Sequence, residues 1–114
     1  MNTLLIYGAT GYTGRMAAEH AKAQGLDVVI AGRTRERLES LAAQLDVPYR
    51  VFTPDRQSSQ HLNGIGVLLN FAGPFAQTAD ALMQACIVAG VDYLDITAEI
   101  NAYRTLIKSF NEEE

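Results

Sequence analysis

The feature that most constrains the fold of this chain lies at its amino end, where residues 3 to 14 read TLLIYGATGYTG. A short apolar run, Leu4 to Tyr7, halts at Gly8; Gly11 and Gly14 follow at three-residue intervals, and an alanine-rich helical pattern starts at once. In a strand, glycine turn and helix in this order, the first helical turn leaves backbone N–H groups without intrahelical acceptors. Those groups and the positive end of the helix dipole favour an anion. Gly8 permits a sharp exit from the strand, Gly11 lets backbone approach a phosphate with no Cβ between, and Gly14 lets helix and strand pack closely. The spacing G-x-x-G-x-x-G is one residue longer at its first gap than the common dinucleotide fingerprint, so the reading rests on the strand before it and the helix after it. On that reading Gly8, Thr10, Gly11, Tyr12, Thr13 and Gly14 are the candidate contacts to a dinucleotide diphosphate. A plain glycine-rich connection is the structural alternative.

The rest of the chain alternates between two periods. Gln24 and Gly25 close the first helix, and Asp27 to Ala31 read as a second strand, nearly all apolar as a strand covered on both faces should be. Thr34 is placed to cap a helix whose apolar positions Leu38, Leu41, Ala42 and Leu45 share one face. Pro48 breaks that pattern, and Tyr49 to Phe52 form a short third strand. Residues 53 to 64 are polar and predict a loop with at most a short helix over Gln57 to Leu62. Gly66 to Phe71 form a fourth strand. A third helix with Ala79, Leu82, Met83 and Cys86 on one face then runs to Gly90. Val91 to Ile96 supply a fifth strand, and Ile100, Tyr103, Ile107 and Phe110 mark a last amphipathic helix.

Strands joined by helices imply parallel pairing with right-handed crossovers. The expected fold is therefore α/β: a Rossmann-type open parallel sheet of about five strands, order 3-2-1-4-5, with helices on both faces. With 114 residues the chain is one domain, expected over residues 1 to 111 and followed by an acidic tail at 112 to 114. The net charge of −4 gives no general attraction to nucleic acid or anionic membrane, so phosphate binding must be local. The single Cys86 forms no internal disulfide and suits a reducing, cytoplasmic setting. No apolar run is long enough to span a bilayer, and the amino end lacks the pattern of a secretory leader.

The choice of dinucleotide falls at the end of the second strand. An NAD site places an Asp or Glu there to accept from the ribose 2′-hydroxyl. This chain instead reads Ala31-Gly32-Arg33-Thr34-Arg35. A guanidinium can hold a 2′-phosphate through paired charge-assisted hydrogen bonds, where a carboxylate would repel it. Arg33 is the first candidate, Thr34 adds a hydroxyl, and Arg35 and Arg37 can assist. The residues thus favour NADP over NAD. The structural alternative is a solvated helix start whose cations oppose the dipole slightly.

The motifs GATGYTG, AGRTRERL, NFAGPF (Asn70 to Phe75) and YLDITAE (Tyr93 to Glu99), at these distances, make the chain similar to the NADP-binding N-terminal domain of saccharopine dehydrogenase-like oxidoreductases. The resemblance runs through Glu99 and spans about the first third of a typical member. It implies that Asn70, Ala72, Gly73 and Pro74 lie beside the nicotinamide ribose. An ordinary Gly-Pro turn is the local alternative. It also implies that Asp95, Thr97 and Glu99 orient the nicotinamide or meet substrate, although for each residue taken singly helix capping is the stronger explanation. Asp55 is a candidate for the adenine amino group, with a solvated turn carboxylate as the simpler reading.

Other chemistries lack their residues. No tyrosine has a lysine four positions on, as short-chain dehydrogenases have. His20 and His61 have no second ligand at metal spacing, and Cys86 reads as core. Ser58 and Ser59 lack a nucleophile-elbow setting. The resemblance implies hydride transfer to a C=N, C=O or C=C bond in an intact enzyme, with the cofactor supplying the chemistry. No catalytic acid or base stands out, and the chain alone is expected to bind NADPH without turnover, its small-molecule substrate being met only in a longer form. A non-catalytic NADP-binding redox sensor, resembling atypical short-chain dehydrogenases, is the alternative. If no sixth strand follows, the fifth-strand edge is expected to be shielded in a homodimer.

Overall fold

In the computed structural model, residues 3–55, 57–72 and 75–95 are described. Five strands, β1 (Leu4–Tyr7), β2 (Val28–Gly32), β3 (Tyr49–Val51), β4 (Val67–Asn70) and β5 (Asp92–Asp95), form one sheet in the order β3-β2-β1-β4-β5. Every pairing is parallel. Helices α1 (Tyr12–Ala23), α2 (Arg35–Leu45) and α3 (Phe75–Ala89) connect them, with a single 3-10 turn over Ser58–His61. The expected strand order and the polar connection with a short helix are both present. Ile100 to Phe110, Thr97, Glu99 and the acidic tail lie outside the described residues.

Alternation along the central strands assigns each face. Leu5 and Tyr7 point into one core with Val29, Ala31, Leu68, Leu82, Ala85 and Cys86. Ile6 points the other way, into a core with Val28, Ile30, Ala18, Leu38 and Leu41. The registers Leu5↔Val29 and Leu5↔Leu68 carry one face across three strands. Helices α1 and α2 therefore cover one side and α3 the other. All of β2 is buried, as its apolar run requires.

One local expectation is corrected and a second holds in position alone. Met83 is 45% exposed, and the inward line of α3 is carried by Thr78, Leu82, Ala85 and Cys86 instead. One residue past Leu82 turns the side chain about 100° away from the core. Thr34 does hold the N-cap position in extended conformation, and its carbonyl accepts from the Leu38 N–H at 3.1 Å. Its hydroxyl makes no capping bond.

The polar connection is tied down by side chains. The Tyr7 hydroxyl donates to the Phe52 carbonyl at 2.6 Å, and the Tyr7 and Phe52 rings pack with centroids 5.0 Å apart. His61 stacks on Phe52, and the Arg50 guanidinium donates to the His61 carbonyl at 2.7 Å. Burial pushes the Tyr7 phenol up to about 12, an effect that the positive charge of Arg33 partly offsets. Parallel pairing brings the carboxyl ends of β1, β2 and β4 side by side, so the residues just after them share one edge.

Candidate nucleotide-binding site

The three glycines of the turn differ in why they must be glycine. Gly8 has φ +82°, and a Cβ there would stand 2.6 Å from the Ala72 backbone nitrogen. Gly14 is buried under the turn, where a Cβ would collide with the Gly8 carbonyl oxygen. Packing alone requires both. Gly11 is different: it is exposed, has φ −75°, and a Cβ would meet only the Gly8 oxygen at 3.5 Å, an ordinary contact. Among the described residues nothing demands a bare backbone at Gly11.

Gly11 also caps α1 without any side-chain capping bond. The first rung of the helical ladder runs from the Arg15 N–H to the Gly11 carbonyl at 2.9 Å. The N–H groups of Tyr12, Thr13 and Gly14 precede that rung and have no helical acceptor of their own. The Tyr12 side chain is 84% exposed and that of Thr13 is exposed, so these two residues offer backbone.

An open cleft of about 220 Å³ lies over this turn, lined by Gly8, Thr10, Gly11, Arg33, Thr34 and Ala72 together with Tyr7, Gly32 and Phe71. Residues expected from three separate sequence motifs thus meet on one surface. A second pocket of about 280 Å³ shares Thr10 and is lined by Arg15, Arg37, Ser40, Leu41 and Gln44. Arg15 is committed to Glu19 at 3.0 Å and to Gln44 at 2.9 Å. Arg33, Arg35 and Arg37 have no carboxylate at ion-pair distance among the described residues. Three such cations at one helix start disfavour each other and the dipole, an arrangement that an anion relieves.

The wall contributed by β4 is built from side chains. Asn70 is fully buried; its carbonyl oxygen accepts from the Ala72 N–H at 2.9 Å, and its amide nitrogen donates to Thr78 Oγ1 and to the Tyr93 hydroxyl. Asn70 therefore sits behind the cleft wall, with Ala72 forming the surface. Gly73 and Pro74 lie outside the described residues. Asp55 lies elsewhere: its carboxylate accepts from the Gln57 N–H at 2.8 Å, as a turn residue, beside Asp80 and Gln84 of α3. Among the described residues no group of His, Cys, Asp and Glu side chains is placed to hold a metal. Buried Cys86 is core, and burial pushes its thiol up to about 11.

The family model described as the saccharopine dehydrogenase NADP binding domain matches residues 4–113. The chain belongs to that family. Its cofactor is accordingly NADP, and the absence of an acid at Arg33 and Thr34 agrees. This NADP-binding domain is similar to a trans-acting enoyl reductase of Mycobacterium tuberculosis, 29% identical over 96% of the chain and 28% of that relative. It is 33% identical to the trans-acting enoyl reductase of Mycobacterium leprae over 91% of the chain and 27% of the relative. The chain thus spans little more than a quarter of the length of these relatives. Among solved structures, apo saccharopine dehydrogenase from Saccharomyces cerevisiae superposes with a TM-score of 0.73 at 16% identity, over 83% of this chain and 21% of that one. A leucoanthocyanidin reductase–NADPH complex from Vitis vinifera gives 0.70 at 17%, over 81% and 35%. At these identities the likeness is one of fold.

The residues present suit the cofactor. Gly11 leaves a cradle that a side chain would fill, the amides of the first α1 turn are free of helical acceptors, and the Arg33 guanidinium has no ion-pair partner among the described residues. Sequence reasoning missed Tyr7, Gly32 and Phe71 as cleft lining, although each adjoins a strand end, and Ser40 and Gln44, which only the packing of α1 beside α2 brings forward.

Proposed function

We propose that this NADP-binding domain is the cofactor-holding part of a longer reductase that acts on a carbon–carbon double bond. The observation that carries the binding role is Gly11, bare where the fold asks for nothing, at the head of a helix with open amides. In this reading the backbone of Gly8 to Gly14 holds the diphosphate, with Thr10 alongside. Arg33 and Thr34 hold the 2′-phosphate, with Arg35 and Arg37 adding positive potential. Ala72 with Gly73 and Pro74 lies along the nicotinamide ribose, and Asn70 supports that wall. NADPH, when bound, supplies the hydride. The chain's own task is to orient the nicotinamide half and keep water from it. The choice of C=C among reducible bonds is supported by the enoyl reductases to which the chain is similar, and the substrate itself would be held by further sequence. No helix among the described residues is long and apolar enough to cross a membrane, in keeping with a cytoplasmic setting.

Calorimetric titration of the chain with NADPH tests the first half of this proposal, with saturable one-to-one binding expected. Following nicotinamide absorbance with an enoyl thioester tests the second. The isolated chain should show no oxidation of NADPH, and a longer form carrying the same domain should. Saturable binding with no reductase activity in any longer form would favour a redox sensor and overturn the reductase reading. Absence of binding by folded chain would overturn both.

A further inference from the structure

Ala72, in the β4 wall, has both of its backbone polar groups claimed by side chains. Its N–H donates to Asn70 Oδ1 at 2.9 Å, and its carbonyl accepts from the Thr78 hydroxyl at 3.0 Å. The direction of every bond in this cluster follows from that start. An N–H can only donate, so Asn70 must present its oxygen to Ala72 and its nitrogen to Thr78 Oγ1 at 3.2 Å and the Tyr93 hydroxyl at 3.1 Å. Thr78 then accepts from Asn70 and donates to Ala72. Tyr93 accepts from Asn70 and donates to an Asp95 carboxylate oxygen at 2.7 Å. No donor meets a donor, and the members come from β4, α3 and β5. Asn70 and Thr78 are 0% and 4% exposed. The Ala72 backbone is in turn pressed against Gly8 of the glycine turn, closely enough that any Cβ on Gly8 would strike it.

We propose that Asn70, Thr78 and Tyr93 are positioning residues that fix the Ala72 peptide as the nicotinamide-side wall of the cleft and join it to Asp95 at the end of β5. The proposal rests on the nucleotide reading above. Apolar residues of similar shape could fill the same volume (Val for Thr78, Phe for Tyr93). What the polar atoms add is direction: they hold one peptide at one angle next to the phosphate turn. A cofactor lying across that peptide inherits its placement, and the far end of the cluster lies on the strand end beside β4.

The test compares two ligands that share the 2′-phosphate but differ at the nicotinamide end, NADPH and adenosine 2′,5′-bisphosphate. Thr78→Val should weaken NADPH about fivefold, the effect expected of one misplaced neutral hydrogen bond, and leave the bisphosphate within about twofold. Thr78→Ser, which keeps the hydroxyl, should restore NADPH binding. Tyr93→Phe should repeat the pattern of Thr78→Val from a different element, which guards against misfolding of either single variant. Equal weakening of both ligands would mean that the cluster only supports the fold, and unchanged NADPH binding would mean that Ala72 does not guide the cofactor; either overturns the proposal. A folded wild-type chain that binds neither ligand would instead overturn the nucleotide reading on which it rests.

Discussion

On the β1–α1 side the cleft is lined largely by backbone, with Gly8 and Gly11 at its surface, Gly14 buried beneath them, open amides and few side-chain bonds. On the β4–β5 side it is lined by a peptide that Asn70, Thr78 and Tyr93 hold from behind. The first wall works by the absence of atoms, the second by the direction of hydrogen bonds. An absent side chain binds whatever anion fits, so the glycine wall supplies affinity common to NAD and NADP. In the proposed reading, discrimination between the two falls to Arg33 and Thr34 at the end of β2, and placement of the reactive half to the second wall.

The largest effects should come from glycines that the fold itself needs. Gly14→Ala would drive a methyl into the Gly8 carbonyl, backbone against backbone with no side chain to move aside. A loss of about 3 kcal/mol or more in unfolding free energy is expected, measured by urea denaturation. Gly11→Ala sharpens the contrast. Its Cβ meets only an ordinary contact. The poorer N-cap and the reduced freedom of the unfolded chain offset each other, so stability should hold within about 1 kcal/mol. Binding of NADPH and NADH should both fall more than about tenfold by calorimetry. Stability lost with binding retained would show that Gly11 belongs with Gly14, as architecture, and would remove the observation on which the binding role rests.

How far the two walls could be read beforehand follows from the same difference. A glycine wall is local: Gly8, Gly11 and Gly14 lie within seven consecutive positions, and the strand and helix patterns beside them are visible in one dimension. The sheet order and the two helical faces were legible for the same reason, since apolar periodicity tells which side of an element is buried. The pattern already set Gly11 apart from its two neighbours; what it did not show is the contacts behind that division, Ala72 and the Gly8 carbonyl standing where a side chain on Gly8 or Gly14 would go. The polar cluster was illegible. Asn70, Thr78 and Tyr93 are spread over 24 positions and meet only once β4, α3 and β5 are packed. Asn70, which the resemblance sets beside the nicotinamide ribose, is fully buried, its amide bonded to Ala72, Thr78 and Tyr93. Met83 was misplaced for a smaller reason, a helical face read one residue wide of its true line.

A medium-sized effect should separate the β2 end from both walls. Arg33 is exposed and, among the described residues, has no ion-pair partner. Arg33→Ala should therefore change stability little, while NADPH affinity drops about ten- to a hundredfold and NADH affinity stays put, because only the former carries a 2′-phosphate. Equal loss for both dinucleotides would move Arg33 to the diphosphate and hand discrimination to Arg37 in the neighbouring pocket.

The smallest effect concerns the two phenols, Tyr7 under the glycine wall and Tyr93 behind the other. Burial raises Tyr7 to about 12. Tyr93 is raised as well, first by burial and then by its hydrogen bond to Asp95. For each, the neutral form is favoured in the folded state, so the contribution to stability is complete below the ordinary phenol value near 10 and is lost as pH climbs through the folded value. In that interval the unfolded chain binds fewer protons than the native one, and each phenol tilts unfolding free energy downward by about 1.4 kcal/mol per pH unit at most. Urea midpoints between pH 9 and 12 should thus decline more steeply in the wild type than in Tyr7→Phe or Tyr93→Phe. The two variants should part when NADPH is present. Tyr93→Phe is expected to weaken cofactor binding at neutral pH, whereas Tyr7→Phe, whose hydroxyl donates to the Phe52 carbonyl, should not. If both variants bind NADPH as the wild type does, the two walls are equivalent supports, and the division of labour between missing atoms and directed bonds fails.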